Sequence, residues 1–251
     1  MLKLNETKVQ TLINATLTIA YPQACVVCGD SVESRRDGIV CGACWQQTRI
    51  FTGAEMICHK CGLLLQSDSE KGTTAKIFCR RCDDDEFDIA RAVGVYEGAL
   101  RASILSLKKE PHVSQRLLQL LFEAQQREPL NTATRIIPIP LHEDRLRERG
   151  FNQAWVLASA LSKMTKIEID NVSVVRVSHT ERHRSGMDAK ARRESVKDAF
   201  KVVSPRLVKG EKILLVDDVF TTGATVSACA EKLKEAGASE VFVLTVARPI
   251  F

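Results

Sequence analysis

One stretch near the carboxyl end of the chain constrains the fold more than any other. Four apolar residues, Ile213 to Val216, form a run typical of a short buried strand, and two acids, Asp217 and Asp218, follow directly. A loop of small residues comes next and leads into a helical pattern. The loop contains Thr221, Thr222, Gly223, Ala224 and Thr225. This order predicts an α/β unit with a ligand site beyond the carboxyl end of the strand.

The loop has the chemistry of a phosphate site. Backbone N–H groups at a helix start attract an anion, and the helix dipole adds to that attraction. Gly223 lets the backbone approach a ligand without a Cβ in the way. The two acids beside it suit the hydroxyls of a diol. The alternative is a purely structural strand, two incidental acids and a capped helix. It explains each feature separately but not their occurrence in this order. The G-x-x-x-x-G-K-[ST] motif of P-loop nucleotidases, the other phosphate-binding alternative, does not occur in the chain.

Composition favours a soluble globular protein. Of the 251 residues, 45% are hydrophobic and 27% are charged. No apolar run approaches the roughly 20 residues that span a bilayer. Residues 1–20 lack the apolar centre of a signal peptide, and their periodicity predicts an amphipathic helix that packs on the protein rather than on a membrane. We therefore expect a cytoplasmic location without membrane insertion.

The cysteines predict two structural zinc sites. Eight of the nine form four Cys-x-x-Cys pairs, separated by twelve residues in the first set and seventeen in the second. Each set supplies four thiolates for a closed tetrahedral site, which this spacing favours over redox dithiols or an iron–sulfur cluster. Sequential and interleaved pairing both remain open. We expect His59 to be exposed rather than a ligand, and Cys229 to be a buried apolar residue. The predicted ligands are Cys25, Cys28, Cys41, Cys44, Cys58, Cys61, Cys79 and Cys82.

The order of patterns along the chain predicts three parts. These are an N-terminal helix over 1–20, a double zinc ribbon over 21–87 and an α/β domain over 88–251. The acidic run 83–86 marks the second boundary. Beyond it strands and helices alternate, which predicts a doubly wound parallel sheet. The predicted strands are 89–96, 135–139, 172–177, a strand from 213, and 240–247; the predicted helices are 98–107, 114–127, 151–163 and one that ends at 236.

Two basic segments accompany the phosphate loop. The first segment is a loop that follows Pro138 and Pro140 and carries Arg145, Arg147 and Arg149. The forked guanidinium groups of these arginines suit pyrophosphate. The second, residues 179–193, has weak periodicity and is predicted to be a mobile loop that closes over a ligand. Residues 135–209 hold sixteen Lys and Arg against nine Asp and Glu. That charge suits a phosphorylated sugar and single-stranded nucleic acid equally well.

Taken together, these motifs resemble the ComF/GntX family over essentially the whole chain. The resemblance rests on the Cys-x-x-Cys ribbons and on three stretches: Pro-Ile-Pro-Leu-His from Pro138, Arg-Leu-Arg-Glu-Arg-Gly-Phe-Asn-Gln-Ala from Arg145, and Val-Asp-Asp-Val-Phe-Thr-Thr-Gly-Ala-Thr from Val216. It implies a type I phosphoribosyltransferase fold with a double zinc ribbon, and a role either in DNA uptake during natural transformation or in nucleotide metabolism.

The resemblance also implies a site. Asp217 and Asp218 would hold the ribose hydroxyls of phosphoribosyl pyrophosphate (PRPP), residues 221–225 its 5′-phosphate, and Mg²⁺ would bridge the pyrophosphate and the ribose. The chain departs from the family pattern at His183 and Ser195, where a Gln and an Asn are usual. It departs again after Lys108, where residues 109–111 replace an aromatic residue and a glycine.

Two functions fit this sequence. The first is phosphoribosyl transfer, with Asp217, Asp218 and the three arginines as the catalytic set. The second is a non-catalytic binding module for nucleotide or nucleic acid, with single-stranded DNA and DNA-uptake or recombination proteins as partners. A regulator phosphorylated on Asp217 is disfavoured, because the Thr/Gly loop would then have no role.

Overall fold

A five-stranded parallel sheet lies at the centre of the structure, a computed structural model that describes residues 22–65, 76–178, 194–196 and 198–250. The predicted helix 1–20 and the basic loop 179–193 lie outside these residues. The sheet order is β1-β7-β6-β2-β3, and every neighbouring pair is parallel. The strands are β1 Ile89–Val95, β2 Arg135–Pro138, β3 Glu168–Ile169, β4 Val174–Arg176, β5 Phe200–Val202, β6 Lys212–Val219 and β7 Glu240–Arg248.

Helices cover both faces of this sheet. They are α1 Gly42–Gln47, α2 Gly98–Leu107, α3 Gln115–Gln125, α4 Glu143–Arg149, α5 Gln153–Thr165 and α6 Ala224–Glu235. Side chains alternate along β6: Leu214 and Val216 face a core that includes α2, α3 and α5, while Ile213 and Leu215 face α6 and the β4–β5 pair. The doubly wound parallel sheet is therefore confirmed. No helix among the described residues is long and apolar enough to cross a membrane.

The strand predicted over 172–177 differs from the expectation that it joins the main sheet. It is reduced to β4 and pairs antiparallel with β5, apart from the parallel strands. The cause is local, because Asp170 Oδ1 accepts hydrogen bonds from the backbone N–H groups of Val172 and Ser173 at 3.0 and 2.9 Å. This turn redirects the chain as soon as the two-residue β3 ends.

The cysteine-rich segment packs directly against the sheet and its helices. Trp45 on α1 is fully buried, and it shares one hydrophobic core with β1, α2 and α3. Thr48 Oγ1 accepts a hydrogen bond from the N–H of Ala99 at 2.8 Å, which fixes the start of α2. The domain limit at residue 87 stays a prediction, but the two parts do not have separate cores.

Candidate ligand and metal sites

Two clusters of four cysteines have the geometry of zinc sites. Within each cluster the Sγ atoms lie within 4.8 Å of one another. Neighbouring Sγ atoms are 3.5–3.6 Å apart, as between Cys28 and Cys41 or between Cys61 and Cys79. A disulfide would bring them to about 2.05 Å. Tetrahedral Zn–S bonds of about 2.3 Å separate sulfurs by roughly 3.8 Å, so the clusters fit Zn²⁺.

The pairing of the cysteines is sequential. The first site joins the pairs at 25/28 and 41/44, and the second joins 58/61 and 79/82. This settles the alternative that spacing had left open. His59 is not among these ligands, but the prediction that it is exposed was wrong: it is half-buried because its ring packs edge-on against Phe78, with centroids 5.6 Å apart. Cys229 is fully buried in the core, as predicted, and burial raises the pKa of its thiol.

The two predicted carboxylates lie at the carboxyl end of β6. Asp218 is buried, and its Oδ2 lies 3.1 Å from Lys108 Nζ. Asp217 is half-buried, and its Oδ1 accepts a hydrogen bond from the N–H of Asp218 at 2.8 Å. Lys108 follows α2, so the ion pair closes this edge of the sheet. Sequence reasoning had noted Lys108 only as a position of the family pattern.

Asp217 is the most perturbed acid at this edge. Burial raises its pKa to about 8, and the negative charge of Asp218 adds to the rise, while Lys108 opposes it. A carboxyl that stays mostly protonated at neutral pH beside a partly exposed loop is a feature of binding sites.

This raised pKa predicts a stability effect of Asp217→Asn. An unfolded Asp titrates near pH 3.9, so between about pH 4 and pH 8 the folded protein holds a proton that the unfolded chain has lost. The stability of the wild type must therefore fall as pH rises through that window, whereas asparagine has no proton to lose. The free energy of unfolding in urea should be measured for both proteins at pH 5 and at pH 8.5. The variant's value minus that of the wild type should rise between these two pH values by at least about 1.4 kcal/mol, the equivalent of one pKa unit. A difference that stays constant with pH would contradict this.

The phosphate loop connects β6 to α6. Gly223 has φ +81°, a conformation that favours glycine, and it precedes the first residue of the helix. The N-cap residue Gly223 has no side chain to cap the helix, and the N–H of Ala224 donates a long hydrogen bond to Thr222 Oγ1 at 3.5 Å. A concavity at this point is lined by loop residues together with Asp217. The predicted loop and the acidic pair thus border one small site.

The three predicted arginines lie on a short helix, α4, where a loop was expected. Arg147 is 75% exposed and pairs with Glu143 at 3.1 Å. Arg149 donates a hydrogen bond to Gln153 Oε1. Arg145 is half-buried and takes part in no ion pair within the described ranges. The structure therefore separates three residues that the sequence treats alike.

A larger groove opens beyond the carboxyl end of β2. Its volume is about 500 Å³, and its walls come from α4, α5 and the β4 segment. Trp155 and Phe151 line it together with Pro138 and Pro140. Because β2 and β6 are neighbours in the sheet, this groove and the acidic pair lie at the same edge. No sequence pattern marks this groove, because its lining comes from four separate elements.

Comparison with known proteins gives two matching family models. The double zinc ribbon domain matches residues 16–84, and the phosphoribosyl transferase domain matches residues 148–250. These ranges contain the two cysteine clusters and the acidic loop respectively.

Two relatives match this chain over nearly the whole length of both proteins, and a third matches over less than half. Competence protein F of Haemophilus influenzae is 31% identical over 89% of this chain and 96% of its own length. DNA utilization protein YhgH of Escherichia coli K12 is 30% identical over 92% of this chain and 100% of its own. Competence protein ComFC of Bacillus subtilis is 34% identical over 45% of this chain and 44% of its own. Because the likeness to Competence protein F runs through the ribbons and the phosphoribosyltransferase domain alike, the chain belongs to the ComF family.

Proposed function

We propose that the chain binds PRPP, or a related ribose 5-phosphate, together with Mg²⁺, and that it serves the uptake or use of DNA in the cytoplasm. The observation that carries the proposal is the acidic pair at the end of β6, followed by a Thr/Gly loop that leads into a helix start with glycine at its N-cap. The names of the relatives, which speak of competence and DNA utilization, support the cellular role.

Each part of the site has a task in this binding. The carboxylates of Asp217 and Asp218 accept hydrogen bonds from the 2′- and 3′-hydroxyls of ribose. The N–H groups at the start of α6 and the hydroxyls of Thr221, Thr222 and Thr225 bind the 5′-phosphate. Mg²⁺, when bound with the ligand, neutralises part of the pyrophosphate charge. Lys108 holds Asp218 in place at 3.1 Å until the ligand arrives.

Transfer of the ribose is the reaction that such a site supports. The bond from ribose C1 to pyrophosphate breaks, the pyrophosphate leaves with the electron pair, and a nucleophile of the acceptor forms the new bond to C1. Positive charge builds up on the ribose ring, as in glycoside hydrolysis. Arg145 would stabilise the departing pyrophosphate. The groove at Trp155 offers room for a flat acceptor.

Calorimetry with PRPP and MgCl₂ tests the proposal. The wild type should release or absorb heat on titration at pH 8, where about half of the Asp217 carboxyl is ionised, and bind more weakly at pH 6.5, where it is protonated. Absence of any binding heat at both pH values would refute it. If binding occurs, pyrophosphate release measured across a panel of nucleobases then separates a transferase from a binding protein.

The arginines should contribute unequally. Arg147→Ala is expected to change the affinity for PRPP by less than about twofold, because an exposed side chain already paired with Glu143 contributes little. Arg145→Ala should weaken binding by about tenfold, the effect of losing one charge-assisted contact to pyrophosphate. The same titrations measure both variants. Equal losses would mean that the α4 ion pair breaks when the ligand binds.

A second candidate, binding of single-stranded nucleic acid, is favoured by the surface of the second zinc ribbon. Phe78 is 57% exposed there. Lys76, Arg80 and Arg81 are exposed around it. An aromatic ring among cations is the arrangement that stacks bases and follows a phosphate backbone.

Titration of a single-stranded oligonucleotide at two salt concentrations tests this candidate. Phe78→Ala should weaken binding by roughly 1–3 kcal/mol. Reversing the charge of Arg80 and Arg81 should reduce the salt slope. The matched control is charge reversal of Arg35 and Arg36, the exposed pair on the first ribbon. Equal effects of both reversals would indicate unspecific attraction rather than a surface on the second ribbon.

A further inference from the structure

We propose that the second zinc site, of Cys58, Cys61, Cys79 and Cys82, is a support of the phosphate loop, and that Arg248 is the positioning residue between them. The part of this inference that concerns ligand affinity rests on the proposed function. The part that concerns the order of the loop does not.

The first step is the docking of a zinc-binding turn on the sheet. Three consecutive carbonyls of the Cys58–Cys61 turn accept hydrogen bonds from the α/β domain. The carbonyl of His59 accepts from Arg91 Nη2 at 3.0 Å, that of Lys60 from the Ala90 N–H at 2.7 Å, and that of Cys61 from Arg248 Nη1. A turn held at three successive carbonyls is fixed relative to β1 and β7.

Charge strengthens this docking. A zinc ion with four thiolates carries a net charge of −2, so the site attracts cations. Arg91 and Arg248 contact the zinc-binding turn from adjacent strands. Burial lowers the pKa of both guanidinium groups, and the thiolates of Cys58 and Cys61 oppose that fall. The negative charge of the metal site therefore offsets part of the cost of burying these two cations.

The second step leads from Arg248 to the loop. Arg248 is 6% exposed, and its guanidinium lies 5.1 Å from the centre of the Phe220 ring. Phe220 is the first residue after β6 and the residue that opens the phosphate loop. Its N–H donates to the carbonyl of Ala247 at 2.9 Å, next to Arg248 in β7. Ring and backbone of Phe220 are therefore both held at the end of β7.

The third step is the contact between this ring and the glycine of the loop. A Cβ placed on Gly223 would come within 2.8 Å of Phe220 Cζ and 3.2 Å of Asp85 Oδ2. The ring therefore lies directly beneath the backbone that carries the start of α6. Phe87 packs edge-on against Phe220, with ring centroids 5.7 Å apart. A shift of Phe220 would move the backbone at Gly223.

A second connection runs through the chain that leaves the metal site. The N–H of Asp85 donates to the carbonyl of the zinc ligand Cys82 at 3.2 Å. The next residue, Glu86, donates its N–H to Ser227 Oγ on the first turn of α6 at 3.0 Å. The segment that follows the second zinc site is therefore hydrogen-bonded to the first turn of α6.

The first zinc site makes no comparable contact with the loop among the residues that the structure describes. Its neighbourhood leads to α2 and α3 instead: Thr48 binds Ala99, and Trp45 lies beneath Arg116 at 5.5 Å. The two ribbons therefore differ in what they support, although their sequences look like repeats of one unit.

Cys79→Ser and Cys28→Ser form a matched test, because each removes the most exposed ligand of its site. Both variants should lose zinc from their own site. Only Cys79→Ser should speed amide hydrogen exchange in residues 219–226, by about tenfold or more, and weaken PRPP binding by about tenfold. Unchanged exchange in Cys79→Ser after loss of its zinc, or equal acceleration in both variants, would overturn the proposal.

Arg248→Met keeps the test valid if Cys79→Ser does not fold. It should speed exchange in 219–226, and Arg248→Lys should restore part of the protection, since lysine keeps the charge without the fork. Arg91→Met is the control, because Arg91 holds the same turn but does not contact Phe220. Equal effects of Arg91→Met and Arg248→Met would show that only ribbon docking matters, which refutes the positioning role.

Linkage supplies an independent readout. If zinc at the second site favours the ordered loop that binds PRPP, PRPP must raise the zinc affinity of that site by the same factor. In equilibrium competition with a chromogenic chelator, the second site should therefore keep its zinc up to a higher chelator concentration when PRPP and Mg²⁺ are present, whereas the first site should not change. An unchanged zinc affinity of the second site with bound ligand would overturn the coupling. If wild-type protein binds no PRPP, the proposed function fails, but the exchange experiment still decides on the support of the loop.

Discussion

Replacement of both Asp217 and Asp218 by asparagine is expected to weaken the binding of PRPP with Mg²⁺ at least about 100-fold, or about 2.7 kcal/mol. Asparagine keeps the shape of the side chain but loses the charge that attracts Mg²⁺, and it offers one acceptor oxygen instead of two. Both carboxylates lie at the end of β6, so the double variant removes both proposed ribose ligands together. Calorimetry at pH 8 measures the loss.

The control for this double variant is a second pair of consecutive acids, Asp83 and Asp84. Both are exposed, and they lie outside the loop. Their replacement by asparagine should alter the affinity by less than about twofold, since exposed charges act weakly through water. If both double variants lose affinity alike, the acids act through net charge rather than as ligands of ribose. If neither does, the ligand lies elsewhere.

The site could be predicted from sequence because its parts are contiguous. Strand, acids, loop and helix occupy residues 213–236 without interruption, and each has a local signal. The zinc ligands are likewise local, since a Cys-x-x-Cys turn needs no distant residue to bring two thiolates together. The sequence predicted a parallel sheet but not the order of its strands. Alternation of strands and helices indicates that strands are parallel, but it does not say which of them are neighbours.

Contacts between distant segments could not be predicted. The ion pair of Lys108 with Asp218 joins residues from distant parts of the sequence, and only the packing of α2 on the sheet brings them together. The hydrogen bonds of the second ribbon are equally hidden, because three of their acceptors are backbone carbonyls, which no sequence pattern marks. A motif identifies what a segment binds, whereas its support depends on the fold.

The helix α4 was missed although its signals were present. His142 Nδ1 accepts a hydrogen bond from the N–H of Asp144 at 3.3 Å, and acids occupy the first turn. Arginines fill the last turn, and Gly150, with φ +80°, ends the helix. These are ordinary start and stop signals. Arginines close to a predicted phosphate site suggest ligands in a loop, but they are equally typical of the last turn of a helix.

Gly94→Ala is expected to destabilise the protein by about 3 kcal/mol or more, because the fold leaves no space for a methyl group. A Cβ at Gly94 would lie 2.3 Å from the carbonyl oxygen of Arg49, 2.7 Å from Leu100 Cδ1 and 3.1 Å from Ile50 Cα. The first and third of these belong to the backbone that links the two ribbons. Rotation of a side chain cannot relieve such a clash, so the linker must move. Urea unfolding in the presence of zinc measures the loss.

The linker has little freedom to move, which is why the effect should be large. Phe51 donates its N–H to the carbonyl of Val93 at 2.8 Å, and Val95 donates to the carbonyl of Arg49 at 3.0 Å. Displacing the linker breaks both bonds and pulls the ribbons away from β1. Gly210→Ala is the control: with φ +80° and no atom within 4 Å of its Cβ, it should cost only about 1 kcal/mol of backbone strain. An equal loss of stability at the two positions would mean that the linker can move away from β1 at little cost in free energy. The hydrogen bonds between the linker and β1 would then contribute little to the packing of the ribbons on the sheet.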